Sequence, residues 1–123
     1  MLSIRSQADV EYAVMLAVLN FHKEFMQSHY SSLQVRLLKN VIEVDLARAS
    51  PIPAEKRLAQ TEDGCTQLKQ MHQALFAVGQ DILKKHLEDI LGDKILKIVA
   101  DLEPLSGRNT IIIKLNEALE YSA

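Results

Sequence analysis

The chain has 123 residues, of which 48% are apolar and 24% are charged; this is the size and composition of one folded globular domain. Fourteen Lys and Arg against sixteen Asp and Glu give a formal net charge of −2, which argues against a basic surface of the kind that binds nucleic acids. The longest wholly apolar run, Ala13 to Leu19, is far shorter than the roughly 20 residues that span a bilayer. We therefore expect one soluble domain over residues 1–123, with no nucleic acid bound and no direct membrane insertion.

The first predicted element is a helix that begins at Ser6. Ser6 offers a capping hydroxyl and Asp9 a carboxylate to the free backbone N–H groups. Apolar side chains then recur at helical spacing, at Val10, Val14, Val18, Phe21 and Phe25. The opposite face is small and apolar at Ala13, Leu16 and Ala17, which indicates that something covers it. Two covers are about equally consistent with the sequence: a second copy of the chain, with these three residues as a dimer contact, or another helix of the same chain.

A β-hairpin is predicted next. Two alternating runs, 33–38 and 41–46, flank the dipeptide Lys39-Asn40, which is typical of a tight two-residue turn. Folding the chain there sets Arg36 opposite Glu43 on one face. The other face pairs apolar residues: Leu37 with Ile42, Val35 with Val44, and Leu33 with Leu46. Both faces indicate the same register.

Two helices follow a break at Pro51 and Pro53. The first is short, over residues 54–60, and Thr61 can cap a longer helix that ends at Leu91 before Gly92. The predicted buried positions of the longer helix are Cys65, Leu68, Met71, Leu75, Gly79, Ile82, His86 and Ile90. A straight helix of this length would run roughly 45 Å, which is long for so small a domain, so we expect a kink or break near Gly79.

A second hairpin closes the chain. Residues 94–103 alternate, with Leu96, Ile98, Ala100 and Leu102 on one face. Pro104, Ser106, Gly107 and Asn109 supply turn residues. Residues 110–115 return with Ile111, Ile113 and Leu115 on one face. The element order predicts an α+β, two-layer fold, in which two β-hairpins form a four-stranded sheet with helices packed on one face.

The sequence shows no catalytic or metal-binding constellation. Cys65 lies in the first turn of the long helix, but His72 is about 10 Å further along the axis, so a structural thiol is favoured over a nucleophile. No histidine pair has the helical spacing of metal ligands, and His86 with Asp89 lacks a third ligand. We therefore predict surface or edge-of-core histidines, no cofactor, no metal and no enzyme activity. A lone cysteine also fits a reducing cytoplasm.

Two segments are candidate anion sites. Lys56 and Arg57 lie near the helix start at Thr61, where backbone N–H groups favour an anion; the alternative is a solvated helix face. The turn at 106–108 combines a glycine with Arg108 and could also hold an anion, although closing the second hairpin is the more economical interpretation.

The motif Pro53-Ala54-Glu55-Lys56, followed by Thr61-Glu62-Asp63-Gly64, resembles the MpsC-like family of small bacterial domains, known as component C of a sodium-translocating, membrane-potential-generating system. Leu91-Gly92 and Ser106-Gly107-Arg108 agree further along, so the resemblance covers roughly residues 21–115. It implies a soluble accessory role linked to ion or bicarbonate transport, and it carries over no catalytic residue.

Three functions are compatible with these observations. The first is a cytoplasmic, homodimeric, non-enzymatic accessory or regulatory protein that acts through protein contacts, with a membrane-transport protein or another protein as partner. The alternative is a small-anion or metabolite sensor that uses Lys56, Arg57 and Thr61. A thiol enzyme built on Cys65 is the third.

Overall fold

A computed structural model describes residues 6–26, 30–47 and 53–119. Helix α1 continues into a π-helical turn, and the sheet is built from two hairpins separated by two further helices. In chain order the elements are α1 (Gln7–Phe21), the π-helical turn (His22–Met26), β1 (Ser32–Leu38), β2 (Val41–Ala47), α2 (Pro53–Leu58), α3 (Glu62–Leu91), β3 (Ile95–Glu103) and β4 (Arg108–Leu115). The predicted α+β class is confirmed.

The four strands form one antiparallel sheet in the order β1-β2-β4-β3, so the two hairpins join along β2 and β4. The predicted register of the first hairpin is confirmed, since Val35 pairs with Val44. On the solvent face, Arg36 Nη2 donates to Glu43 Oε1 at 2.7 Å. This hydrogen bond, together with the carboxylate charge, raises the pKa of the Arg36 guanidinium.

Helices α1 and α3 pack on one face of the sheet, α1 over β1 and α3 over β3. The core lies between the two layers. The predicted cap of α1 is present, because the Ser6 and Asp9 side chains each accept a hydrogen bond from the other residue's backbone N–H. Fully buried side chains of the core include Val14, Val18, Phe21, Ile42, Val44, Leu46, Leu83, Leu87, Ile111, Ile113 and Leu115.

The predicted break at Gly79 is wrong, because α3 runs unbroken for 30 residues. Gly79 serves a different purpose. A Cβ at this position would lie 2.3 Å from Cε2 of Phe25, well inside van der Waals contact. The glycine therefore leaves room for the Phe25 ring against α3, and the helix continues past it.

The buried face of α3 also differs from the predicted one. Its buried residues are Gly64, Leu68, His72, Phe76, Gly79, Leu83, Leu87 and Leu91. Met71, Leu75 and Ile82, which the sequence assigned to the core, are exposed. The reason is that the apolar arc of α3 extends about halfway around the helix, and the rest of the fold covers only one side of that arc.

The second hairpin differs from its prediction at two positions. Leu96 was predicted to face the core but is 67% exposed, while Ile95 is buried. A register shift between Ile95 and Lys97 causes the exchange, since an extra residue in one strand reverses which side chains face inward. Asn109, predicted in the turn, lies within β4 and is fully buried.

Candidate functional site

A buried group of polar side chains lies between the helices and the sheet. Asn109 Nδ2 is 3.3 Å from His22 Nε2 and 3.1 Å from His72 Nε2. All three side chains are buried, and we call them the histidine–asparagine cluster. On the sheet, Asn109 occupies a core-facing row in which its neighbours are Leu46 on β2 and Leu102 on β3.

Helical spacing places His22 in this cluster. His22 follows Val18 by four residues and Phe21 follows it by three, so both side chains continue the buried face of α1. The His22 ring meets Phe21 and Tyr30 edge-on, with ring centroids 5.3 and 5.4 Å away.

The hydrogen bonds define the protonation of His22. Its Nδ1 is 2.9 Å from the Val18 carbonyl oxygen, which can only accept, so Nδ1 carries the proton. The Nε2 lone pair then accepts from the Asn109 amide, whose second hydrogen goes to His72 Nε2. One amide thus connects the π-helical turn, α3 and β4 through neutral imidazoles. The cluster acts as a structural tie that lies out of reach of a dissolved substrate.

The three residues of the predicted anion site belong to α2 and to the cap of α3. Lys56 and Arg57 are exposed on α2. The Thr61 hydroxyl accepts from the Gly64 backbone N–H at 3.0 Å and donates to the Leu58 carbonyl oxygen at 3.1 Å. Thr61 is therefore the predicted cap of α3, and its hydroxyl is engaged within the chain. Anion binding by Lys56, Arg57 and Thr61 stays a prediction.

The same corner contains Cys65. Its Sγ–H donates to the Ala59 carbonyl oxygen at 2.9 Å, and the side chain is half-buried. Gly64 is tightly enclosed, because a Cβ there would lie 1.8 Å from the Leu58 carbonyl oxygen. The Thr-Glu-x-Gly motif therefore has a structural explanation: the threonine caps α3, and the glycine admits the last turn of α2.

The turn at 106–108 closes the second hairpin, the interpretation favoured by the sequence. The Glu103 carboxylate accepts from the Ser106 hydroxyl and from the Ser106 backbone N–H, each at 2.7 Å. The hydroxyl hydrogen bond is the main cause that lowers the pKa of Glu103. Gly107 adopts a φ of 73°, which glycine reaches without strain.

The helix layer presents apolar side chains to solvent. On α1, Leu16 is 37% exposed, and the predicted contact residues Ala13 and Ala17 are half-buried. A larger surface lies on α3, roughly 100° around the helix from the buried face. It consists of four exposed side chains at intervals of four, three and four residues, and we call it the α3 stripe: Met71, Leu75, Val78 and Ile82.

The described ranges, 6–26, 30–47 and 53–119, contain no group of three or more His, Cys, Asp and Glu side chains arranged to hold a metal ion. They also contain no helix with both the length and the apolarity to span a membrane.

The prediction of surface or edge-of-core histidines is wrong for His22, which is fully buried. His86 is exposed, in agreement with that prediction but not with its place in the predicted buried row of α3, and His29 lies outside the described residues. One signal for the cluster was present in the strand pattern. Asn109 alternates in phase with Ile111 and Ile113, so a strand extended by one pair of residues would have placed a polar side chain in the core. His72 similarly lies four residues from both Leu68 and Phe76.

Comparison with known proteins gives one family. A family model described as "Na+-translocating membrane potential-generating system (MpsC)" matches residues 6–117. The chain is also similar to the uncharacterized protein YbcI of Bacillus subtilis (strain 168), with 24% identity over 116 residues that cover 94% of this chain and 93% of the relative. No solved structure shows a significant match.

Proposed function

We propose that this chain, which belongs to the MpsC family, is a non-enzymatic accessory protein that acts as a homodimer through protein contacts. The family's description names a sodium-translocating system, and this supports a membrane-transport protein as the partner. The cluster supports the same proposal indirectly, since its polar groups stabilise the fold and are buried from solvent.

The α3 stripe carries the proposal. Its four aliphatic or thioether side chains follow one another along one flank of the helix, and Val78, near the middle of the stripe, is 75% exposed. Contiguous apolar surface of this kind marks protein-binding sites, and spacings of three and four residues suit a helix that docks against a partner. The α3 stripe is therefore proposed as the surface that binds the transport protein.

Replacing Val78 with glutamate tests this surface. The change puts a charge in the middle of the α3 stripe, and we expect retention of a membrane-transport protein from detergent-solubilised host membranes to fall at least about tenfold. Retained proteins are identified by mass spectrometry. Gln73→Glu adds the same charge at another exposed position of α3 and should leave retention unchanged. Equal recovery with wild type and Val78→Glu would contradict the proposal.

Leu16 supports the homodimer. It remains 37% exposed on α1, next to the small side chains of Ala13 and Ala17, which allow a neighbouring helix to approach closely. We expect light scattering to give twice the 13.8 kDa mass of the chain, and Leu16→Glu to give the single-chain mass, because a charge would be buried at the contact. Val78→Glu is the matched control and should remain dimeric. A monomer at tens of micromolar would disprove the homodimer.

A further inference from the structure

We propose that the homodimer forms by antiparallel pairing of β1 with the same strand of a second copy, which makes one continuous eight-stranded sheet. This inference rests on the homodimer proposed above and adds a strand contact to the contact at Leu16, since α1 packs over β1. The second copy is recognised through backbone hydrogen bonds and through the side chains of β1.

The two edges of the sheet are built differently. Strand β3 has a register shift between Ile95 and Lys97, and its exposed side chains include Asp101 and Glu103. Irregular pairing and charged side chains are features that protect edge strands from other strands. Strand β1 pairs with β2 over all seven residues without a shift and contains one charged residue, Arg36. Of the two edges, β1 is the one suited to pairing.

The outer side of β1 has backbone groups in position for another strand. The two-residue turn makes Leu38 and Val41 a mutually hydrogen-bonded pair. Alternation along the strand then directs the N–H and C=O groups of Leu33, Val35 and Leu37 away from β2. Among the strands that the structure describes, β2 alone pairs with β1.

The sequence of β1 is self-complementary about Val35. A twofold axis through Val35 sets Leu33 opposite the partner's Leu37 on the core face, and Gln34 opposite the partner's Arg36 on the solvent face. No like charges are brought opposite each other, which is the condition for stable cross-strand pairs.

The incomplete burial of side chains along β1 also favours a second copy of the chain at this edge. Leu33, Val35 and Leu37 face the core but are only half-buried, whereas their β2 partners Leu46 and Val44 are 0% exposed. A second copy would extend both layers over these side chains. The helix layer can accommodate it, because two helices about 10 Å wide cover four strands spaced about 4.8 Å apart.

Opposite charges at residue 34 give a test in which folding and dimerisation change in opposite directions. Within one chain, Gln34 lies opposite Asp45; in the dimer it lies opposite the partner's Arg36. Gln34→Lys should therefore raise the melting temperature of the isolated chain and weaken the dimer. Gln34→Glu should do the reverse. We expect the dimer dissociation constants of the two variants, measured by sedimentation at low salt, to differ by about tenfold, because the twofold axis duplicates the contact.

Cysteine crosslinking provides a second readout. Val35→Cys, made with Cys65→Ser, should form an interchain disulfide on mild oxidation, because antiparallel partner residues lie within disulfide reach. Asp101→Cys on the β3 edge, in the same background, is the matched control and should not crosslink. A dimer that is equally tight in both residue-34 variants and does not crosslink at residue 35 overturns the β1 interface and leaves the homodimer intact. A monomeric wild type overturns both.

Discussion

Replacing Asn109 with leucine is expected to lower the free energy of unfolding by about 2–4 kcal/mol. Leucine is the residue found beside this position on both neighbouring strands, at Leu46 and Leu102, so hydrophobicity and strand pattern alone predict a neutral or stabilising change. The loss arises because His22 and His72 would each lose the amide donor to Nε2 while remaining buried. Urea denaturation at pH 8 measures it with the imidazoles neutral.

A double-mutant cycle separates this effect from packing. If the amide acts through the imidazoles, Asn109→Leu should cost much less in a His72→Leu background, since a donor and one of its acceptors are then removed together. The expected coupling energy is at least about 1 kcal/mol. Strictly additive effects would show that the hydrogen bond between Asn109 and His72 contributes nothing to stability, and would contradict the part of His72 in the tie.

Gly64→Ala is expected to lower the free energy of unfolding by about 3 kcal/mol or more. Alanine normally stabilises a helix relative to glycine, by about 1 kcal/mol. Here the added Cβ would lie 1.8 Å from the Leu58 carbonyl oxygen and 2.7 Å from Thr61 Oγ1. The first of these atoms belongs to the backbone, so the entire corner between α2 and α3 must move, and the Thr61 cap is strained with it. Thermal and urea denaturation report the loss.

Gly92→Ala is the matched control for this substitution. Gly92 ends α3 with a φ of 75° and has open space where a Cβ would be placed, so its replacement tests backbone conformation without a steric clash. We expect that change to cost about 1–3 kcal/mol, because a φ of 75° combined with a ψ of −161° is a conformation that essentially only glycine adopts. If Gly64→Ala cost no more than Gly92→Ala, the close packing of the Leu58 carbonyl against Gly64 would be refuted.

Local patterns were sufficient for most of the fold. The hairpin of β1 and β2 was predictable to the residue, since the Lys39-Asn40 turn, the apolar alternation and the Arg36–Glu43 pair all require the same register. The cap at Ser6 was equally local. The α3 helix shows the limit of such patterns: its apolar arc is continuous, and only the position of the sheet decides that His72 is buried while Met71 and Leu75 are exposed.

The cluster was not predictable in the same way. Asn109 meets residues 87 and 37 positions away in sequence, and periodicity within one element contains no information about such contacts. A helical period places His22 on the buried face of α1, four residues after Val18, but it does not indicate which side chains the ring meets there. The role of Gly79 was not predictable for a related reason. Its role depends on Phe25, which belongs to a distant segment of the chain.

Asn109 also affects the register of β4 against β2. A slip of two residues would preserve the inward and outward alternation, because Ile111 or Gly107 would then replace Asn109 beside Leu46. Only the observed alignment gives both imidazole acceptors a donor. A misaligned strand would bury the two imidazoles without the Asn109 donor. The asparagine therefore disfavours the neighbouring registers while the hairpins assemble, which apolar contacts alone would not do.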